Sequence, residues 1–304
     1  MPKWSGKTRG GVAGYKSFVF IIKNFGISTA YFFLRFVVLY FLLFAPQAVK
    51  YSYIYLRKRQ GFSPIKSYRY IGRMFYKLGQ VLIDKVAFIA GLSKKFTFDF
   101  DGEEHLRNMA NTTGGVLIGM HAGSWEIAGH LLERLNTKIH IVMFADEHQR
   151  IQSFLSEIYE EQNVNFIVIN QDYSHLFEIS KALENKEMIA IHGDRFLPGT
   201  RTISANFLNK EARFPFGPFL IPMKYNVPLC FVTAMKETAS HYHFFATAPV
   251  KYEMPGNTRA REDVVRSMVQ NYTLFMEKIL KKYPDQWFNF YDFWDDVEKE
   301  EPSN

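Results

Sequence analysis

Residues 26–49 read GISTAYFFLRFVVLYFLLFAPQAV, an apolar run whose single charge is Arg35. About 20 apolar residues suffice to cross a bilayer, so this segment spans a membrane, lies in its surface or is buried inside a soluble domain. Its surroundings favour lipid. Residues 1–83 hold 14 Lys and Arg and no acidic residue before Asp84, which leaves 23 basic against 30 acidic residues for the rest of the chain. Tyr51, Tyr53, Tyr55, Tyr68, Tyr70 and Tyr76 stand among these cations, as in the aromatic belt at headgroup level. A charge in the hydrocarbon centre is costly, so Arg35 implies either a tilted helix with a snorkelling guanidinium or an interfacial one. Five basic residues precede the run and eight follow it up to Lys77, a bias that places the bulk of the chain in the cytoplasm. The late start of the run and the lack of a small-residue cleavage site after Phe44 argue against a cleaved signal peptide.

The rest of the chain is globular in composition. With 47% hydrophobic residues and one Cys in 304, it is neither disordered nor disulfide-stapled. Short β-rich runs occur at 96–100, 116–120, 139–144, 165–169, 188–192, 228–235 and 243–248. Helical patterns occupy 124–135, 147–162, 174–184, 216–225 and 261–281. Strands alternating with helices predict an α/β domain with a mostly parallel central sheet flanked by helices. The chain divides into an N-terminal membrane-associated segment (1–83), a catalytic domain (84–296) and an acidic tail (297–304).

Sites in such sheets lie beyond the carboxyl ends of the strands, which directs attention to Val116-Leu-Ile-Gly-Met-His121-Ala-Gly-Ser-Trp-Glu126. A buried strand ends near His121, Gly123 permits a tight turn, and Ser124 is an N-cap for the next helix. Glu126, in that helix's first turn, would orient the imidazole and leave His121 as a general base. The spacing alone carries no weight, since a chain with 9 His and 30 acidic residues among 304 holds about one such pair by chance. Its place between strand and capped helix is what raises it above a structural histidine at a turn. Backbone N–H groups at Gly123, Ser124 and Trp125 are the candidate oxyanion donors.

Together with Asp194 in His-Gly-Asp-Arg, Ala212-Arg-Phe-Pro-Phe-Gly-Pro218 and Tyr283-Pro-Asp-Gln-Trp287, this motif resembles the lysophospholipid acyltransferase superfamily. Within it, the chain is similar to the bacterial lipid A biosynthesis acyltransferases of lauroyl/myristoyl type. The resemblance implies His121 as general base, Glu126 as the acid that polarises it, an acyl carrier protein thioester as donor, a membrane lipid as acceptor and no cofactor or metal. It further implies an enzyme at the bacterial inner membrane with its catalytic domain on the cytoplasmic side. Asp194, Arg195 and Arg201 occupy the block that meets the acceptor's head, with Arg150 and Arg213 as further anion-binding candidates. An Asp194–Arg195 or Asp194–Arg201 loop salt bridge is the rival reading of that block. Where the family continues with a basic run after Gln-Trp, this chain reads Phe288-Asn-Phe-Tyr-Asp-Phe-Trp294, so amino-acid lipids and aryl polyene pigments stand beside lipid A as acceptors.

Two other classes fit parts of the pattern. A membrane thioesterase or lipid hydrolase would use the same pair to activate water, and a non-catalytic lipid- or carrier-binding protein would not need it. Gly6-Lys7-Thr8 lacks the remainder of a phosphate loop, and no nucleophile elbow surrounds Ser124. His241 and His243 read as strand residues rather than metal ligands. The apolar run makes lipid, not nucleic acid, the partner of the basic aromatic segment.

Overall fold

The computed structural model describes residues 20–89, 91–124, 127, 135, 137–144, 164–169, 172 and 174–294. Its centre is a seven-stranded sheet of β1 (Thr97–Asp101), β2 (Gly115–Gly119), β3 (Ile139–Phe144), β4 (Val164–Ile169), β5 (Met188–His192), β8 (Leu229–Lys236) and β9 (His241–Ala246), in the order β1-β9-β8-β2-β5-β3-β4. Every neighbouring pair is parallel except β8 with β9. The central strands are mostly apolar and buried: Val116, Leu117 and Ile118 of β2 and all eight residues of β8, polar only at Thr233 and Lys236, are covered. Strands covered on both faces require such continuous apolar runs.

Two elements escape a reading by periodicity. A separate hairpin, β6 (Thr202–Phe207) with β7 (Lys210–Pro215), turns through Leu208 and Asn209, both at positive φ (51° and 62°). Two consecutive left-handed residues define the hairpin turn that Asn-Gly usually announces; here Leu208 takes the first place because its side chain is buried. Between β1 and β2 runs a short helix, Glu103–Thr112, whose only buried side chains are Leu106 and Met109. Of the helices expected over 124–135 and 147–162, all but Ser124, Ile127 and Leu135 lie outside the described residues.

The apolar run folds as α1 (Ile27–Phe44) followed by α2 (Pro46–Ile54). With a mean hydropathy of 2.0, α1 is long and apolar enough to cross a membrane by length and composition. It packs antiparallel on α3 (Pro64–Ile89) through Ala30, Tyr31, Leu34 and Val38, with Leu34 seated where a Cβ on Gly79 would stand. The opposite face exposes Phe32, Phe33, Phe36, Leu39, Tyr40 and Leu43.

The first acidic residue, Asp84, lies inside α3, so a single helix carries both the basic segment's last cations and the first buried anion. Its carboxylate, fully buried, takes hydrogen bonds from Lys236 of β8, Tyr31 of α1 and Tyr242 of β9. Burial pushes the Asp84 carboxyl up and the Lys236 ammonium down, while each stabilises the other's charge. Removing one partner of such a pair strands a charge in the interior. Lys236→Met therefore lowers unfolding stability by ~3–5 kcal/mol, whereas Lys236→Met with Asp84→Asn recovers most of the loss; denaturant titration in a neutral detergent measures both.

Candidate active site

The site is set by strand register. In the parallel pair β2–β5, Gly119 stands opposite His192, so two further residues along each strand bring His121 and Asp194 face to face. His121 Nδ1 lies 2.6 Å from Asp194 Oδ1, and the His121 backbone N–H donates to Oδ2 at 2.8 Å. Asp194 is 1% exposed, whereas the imidazole is partly open at 15%. Burial would raise the carboxyl's pKa, but His121, with His192 and Arg195 nearby, outweighs it and holds Asp194 well below the usual carboxylate range. An ionised carboxylate on Nδ1 fixes the imidazole's tautomer and stabilises its protonated form.

The turn that carries His121 is pinned from three sides. Its carbonyl accepts from Phe288 N–H (3.2 Å), Gly123 N–H donates to the Gln286 carbonyl (3.0 Å) and Ser124 N–H donates to the Ala234 carbonyl (2.8 Å). Ala122 forms a bridge with Trp287. Gln286 is itself clamped to β8, its side-chain amide exchanging hydrogen bonds with the backbone of Lys236 at 2.8 and 2.9 Å. Gly123 has φ 66°, and a Cβ there would stand 1.9 Å from the Ala234 carbonyl oxygen. Across the pair, Gly193 N–H and the Tyr272 hydroxyl both donate to the Gly119 carbonyl (3.0 and 2.7 Å), fixing the end of β2 against β5.

The residues singled out from the sequence separate accordingly. Asp194, grouped there with acceptor-binding residues, is committed to His121. Glu126, Trp125 and Arg150 lie outside the described residues. The expected oxyanion donors Gly123 and Ser124 direct their N–H groups at protein carbonyls, because the turn needs those bonds to hold its shape; that expectation is corrected for these two. Ser124 Oγ does cap, accepting from Ile127 N–H at 3.4 Å. Arg195 is half-buried beside the pair, donating to the Phe288 carbonyl at 3.3 Å over the Tyr291 ring. Neither rival salt bridge to Asp194 forms: Arg201 pairs instead with Glu262 at 3.0 Å. Arg213, on β7, bonds Thr202 Oγ1 at 3.0 Å, and Arg201 immediately precedes β6, so both arginines lie at the base of the β6–β7 hairpin. His192, not singled out, places its ring 4.2 Å from that of His121; its position immediately before Gly193-Asp194 at a strand end is the signal that points to it. A cavity of about 60 Å³ beside it is lined by Leu117, Ile139, Ala190 and Val232.

His241 and His243 are strand residues as read, facing Asp99 and Asp101 at 3.4 and 3.3 Å. Among the described residues no three His, Cys, Asp or Glu converge on a metal position.

The sequence pattern of the family described as bacterial lipid A biosynthesis acyltransferase matches residues 65–295. Among solved structures the chain is similar to the 1-acyl-sn-glycerophosphate (LPA) acyltransferase PlsC from Thermotoga maritima, at 12% identity and a TM-score of 0.38, over 83% of this chain and 98% of that one. No curated protein matches.

Two outcomes test the site's construction. Gly123→Ala forces a strained φ and a backbone clash, each of order 1–3 kcal/mol, so thermal unfolding shifts down sharply, while Gly217→Ala, with open space around its Cα, leaves it unchanged. Because the folded pKa of Asp194 is depressed, its contribution to stability is present above the ordinary carboxylate value of about 4 and fades as pH falls below it. The stability gap between wild type and Asp194→Asn accordingly narrows on acidification, as read by denaturant titration at stepped pH.

Proposed function

The chain belongs to the bacterial lipid A biosynthesis acyltransferase family, and from that premise we propose that it transfers a fatty acyl chain from an acyl carrier protein thioester to a hydroxyl or amine of a membrane lipid, with His121 as general base. The chemistry is that of an acyltransferase; donor, acceptor and residue roles are the proposal. The observation that carries it is the 2.6 Å pairing of His121 Nδ1 with the buried, ionised Asp194 at adjoining strand ends.

With Nδ1 committed to Asp194, the acceptor's proton passes to Nε2 as its oxygen or nitrogen bonds to the thioester carbon. Collapse of the tetrahedral adduct breaks the carbon–sulfur bond, and the imidazolium returns the proton to the departing thiolate. Asp194 stabilises the imidazolium in between. Glu126, placed by the family resemblance in the polarising role, is the second acid of the proposal. Arg195 next to the pair, with Arg201 and Arg213 at the base of the hairpin and Arg150, would hold an anionic acceptor head. Of the expected oxyanion donors, Trp125 N–H stays in the proposal. The small apolar cavity beside His192 suits acyl carbons.

The excess of 14 cations in residues 1–83 supports both parts of the address: attraction to anionic lipid at the cytoplasmic face of the bacterial inner membrane and steering of an acidic carrier. Lipid A, an amino-acid lipid and an aryl polyene remain the acceptors to compare.

The test is transfer of labelled acyl groups from acyl carrier protein to extracted membrane lipids by the detergent-purified chain. His121→Ala abolishes the labelled lipid. Asp194→Asn lowers kcat by on the order of 10³–10⁴-fold with KM little changed, and Glu126→Gln at full rate would leave Asp194 as the sole orienting acid. Asp194, held well below the usual carboxylate range by His121, stays ionised throughout the working range and so adds no titration of its own to the pH–rate profile. Label released only as free fatty acid would replace transfer with hydrolysis.

A further inference from the structure

A second concavity, of about 420 Å³, lies beside the N-terminal helices, lined by Arg69, Arg73, Tyr76 and Lys77 of α3 and by Thr238 and Ala239 of the β8–β9 turn. The four α3 residues recur at three- and four-residue spacing and so share one face. Three are cations. Arg73 Nε meets the buried Asp285 at 3.1 Å, and Lys77 Nζ donates to the Lys236 carbonyl at 3.2 Å. Arg69 is exposed and meets no acidic side chain among the described residues. The other acids at this end are engaged elsewhere, Asp84 with Lys236 and two tyrosines, Glu237 with Tyr283 and Lys282. Three cations against Asp285 leave the groove with a charge of +2 in a partly desolvated setting, where burial already pulls the Lys77 ammonium down.

Location identifies what balances that charge. Tyr31 of α1 donates from its hydroxyl to the Ala239 carbonyl (3.1 Å) and accepts Tyr76 OH on its own carbonyl (3.3 Å), so the groove ends beneath the second turn of α1. On the far side of that turn, Phe32, Phe33 and Phe36 are 52%, 46% and 59% exposed, and the apolar face continues to Leu43. Contiguous apolar surface of this extent on a globular protein marks an interaction site. Cations spaced around a pocket match an oxyanion with several acceptor oxygens, to which a guanidinium binds in bidentate fashion. An exposed apolar face on the helix that closes the groove matches alkyl chains attached to that anion.

We propose that this groove is a binding site for the phosphate of an anionic membrane lipid whose alkyl chains lie along the exposed face of α1. The site is separate from the His121–Asp194 pair and does not depend on the acyl-transfer reading. The two are one short segment apart, since Asp285, which meets Arg73, adjoins Gln286, whose carbonyl holds Gly123 N–H.

The test titrates the full chain, in neutral detergent, with dihexanoyl phosphatidylglycerol, dihexanoyl phosphatidylcholine and inorganic phosphate by calorimetry. The phosphatidylglycerol analogue binds and the zwitterionic one does not. Arg69→Ala weakens that binding about fivefold, from ~1 kcal/mol for one cation at the membrane surface, while Lys281→Ala, an exposed cation outside the groove, leaves it unchanged. Neither substitution touches the core, and circular dichroism of both variants verifies the fold. Inorganic phosphate binding as tightly as the lipid analogue would reduce the groove to a free-anion site and overturn the proposal. So would equal losses in Arg69→Ala and Lys281→Ala, or an Arg69→Ala variant that retains lipid binding but loses acyl carrier protein.

Discussion

Everything at the site depends on the register of β2 against β5. Parallel strands have no hairpin to set their alignment, so the pairing of Gly119 with His192 is held by side-chain packing and by the hydrogen bonds that Gly193 and Tyr272 make to the Gly119 carbonyl. Gly193 is required there because a Cβ would stand 2.7 Å from Ile118 Cγ2, with Phe219 and Tyr272 close behind. A slip of one residue would turn every side chain of a strand to its other face, parting His121 from Asp194 and burying a histidine without its carboxylate. The geometry of the His121–Asp194 pair and the sheet's hydrophobic pattern are thus one constraint.

A second chain of contacts ties this site to the apolar N-terminal helix. Lys236 ends β8 with its ammonium on Asp84 and, through Asp84, meets Tyr31 of α1; its backbone clamps Gln286, whose carbonyl in turn holds Gly123. The aromatic run after Gln286 completes the attachment. Trp287 packs on Tyr55 with ring centroids 4.8 Å apart and on Phe293 at 5.2 Å, and Phe290 stacks on Phe75 of α3 at 5.4 Å. Where the family resemblance leads one to look for a basic run, this chain has a segment that cements the basic helices to the sheet domain.

Much of this was legible in the sequence because its physical signals are local. Continuous apolar runs mark β2, β3, β5 and β8, and Ser124 after a glycine marks a helix start, so the fold class and the position of His121 at a strand's end follow from short windows. What escaped depends on contacts distant in sequence. The partner of His121 lies 73 residues away, and only the β2–β5 register chooses Asp194. The β6–β7 hairpin hides because burial, not a glycine, stabilises Leu208 in its left-handed turn. The N–H groups of Gly123 and Ser124 read as oxyanion donors from their place before a helix, yet the acceptors that occupy them, Gln286 and Ala234, belong to other elements. Likewise Asp84 reads as the first acidic residue after a basic segment, and its pairing with Lys236 depends on a contact with a strand 152 residues away.

These attachments explain why so basic an N-terminal segment is folded against the catalytic domain instead of tethered to it. On the proposed reading, a flexible anchor would hold the enzyme near lipid but leave the height of His121 above the bilayer undefined. Here Tyr31 is bonded to Asp84 and to the Ala239 carbonyl, so one turn of α1 is fixed relative to β8 and β9, and through Gln286 relative to the His121 turn. Were the exposed apolar face of α1 to enter lipid, as the proposed function has it, the depth and tilt of the strand ends would be set with it. On the proposed reading, an acceptor held in the bilayer would have to bring its nucleophile to His121 at a defined height, and the buried Asp84–Lys236 pair, costly to desolvate and weak as a source of net stability, is well suited to fixing that one orientation.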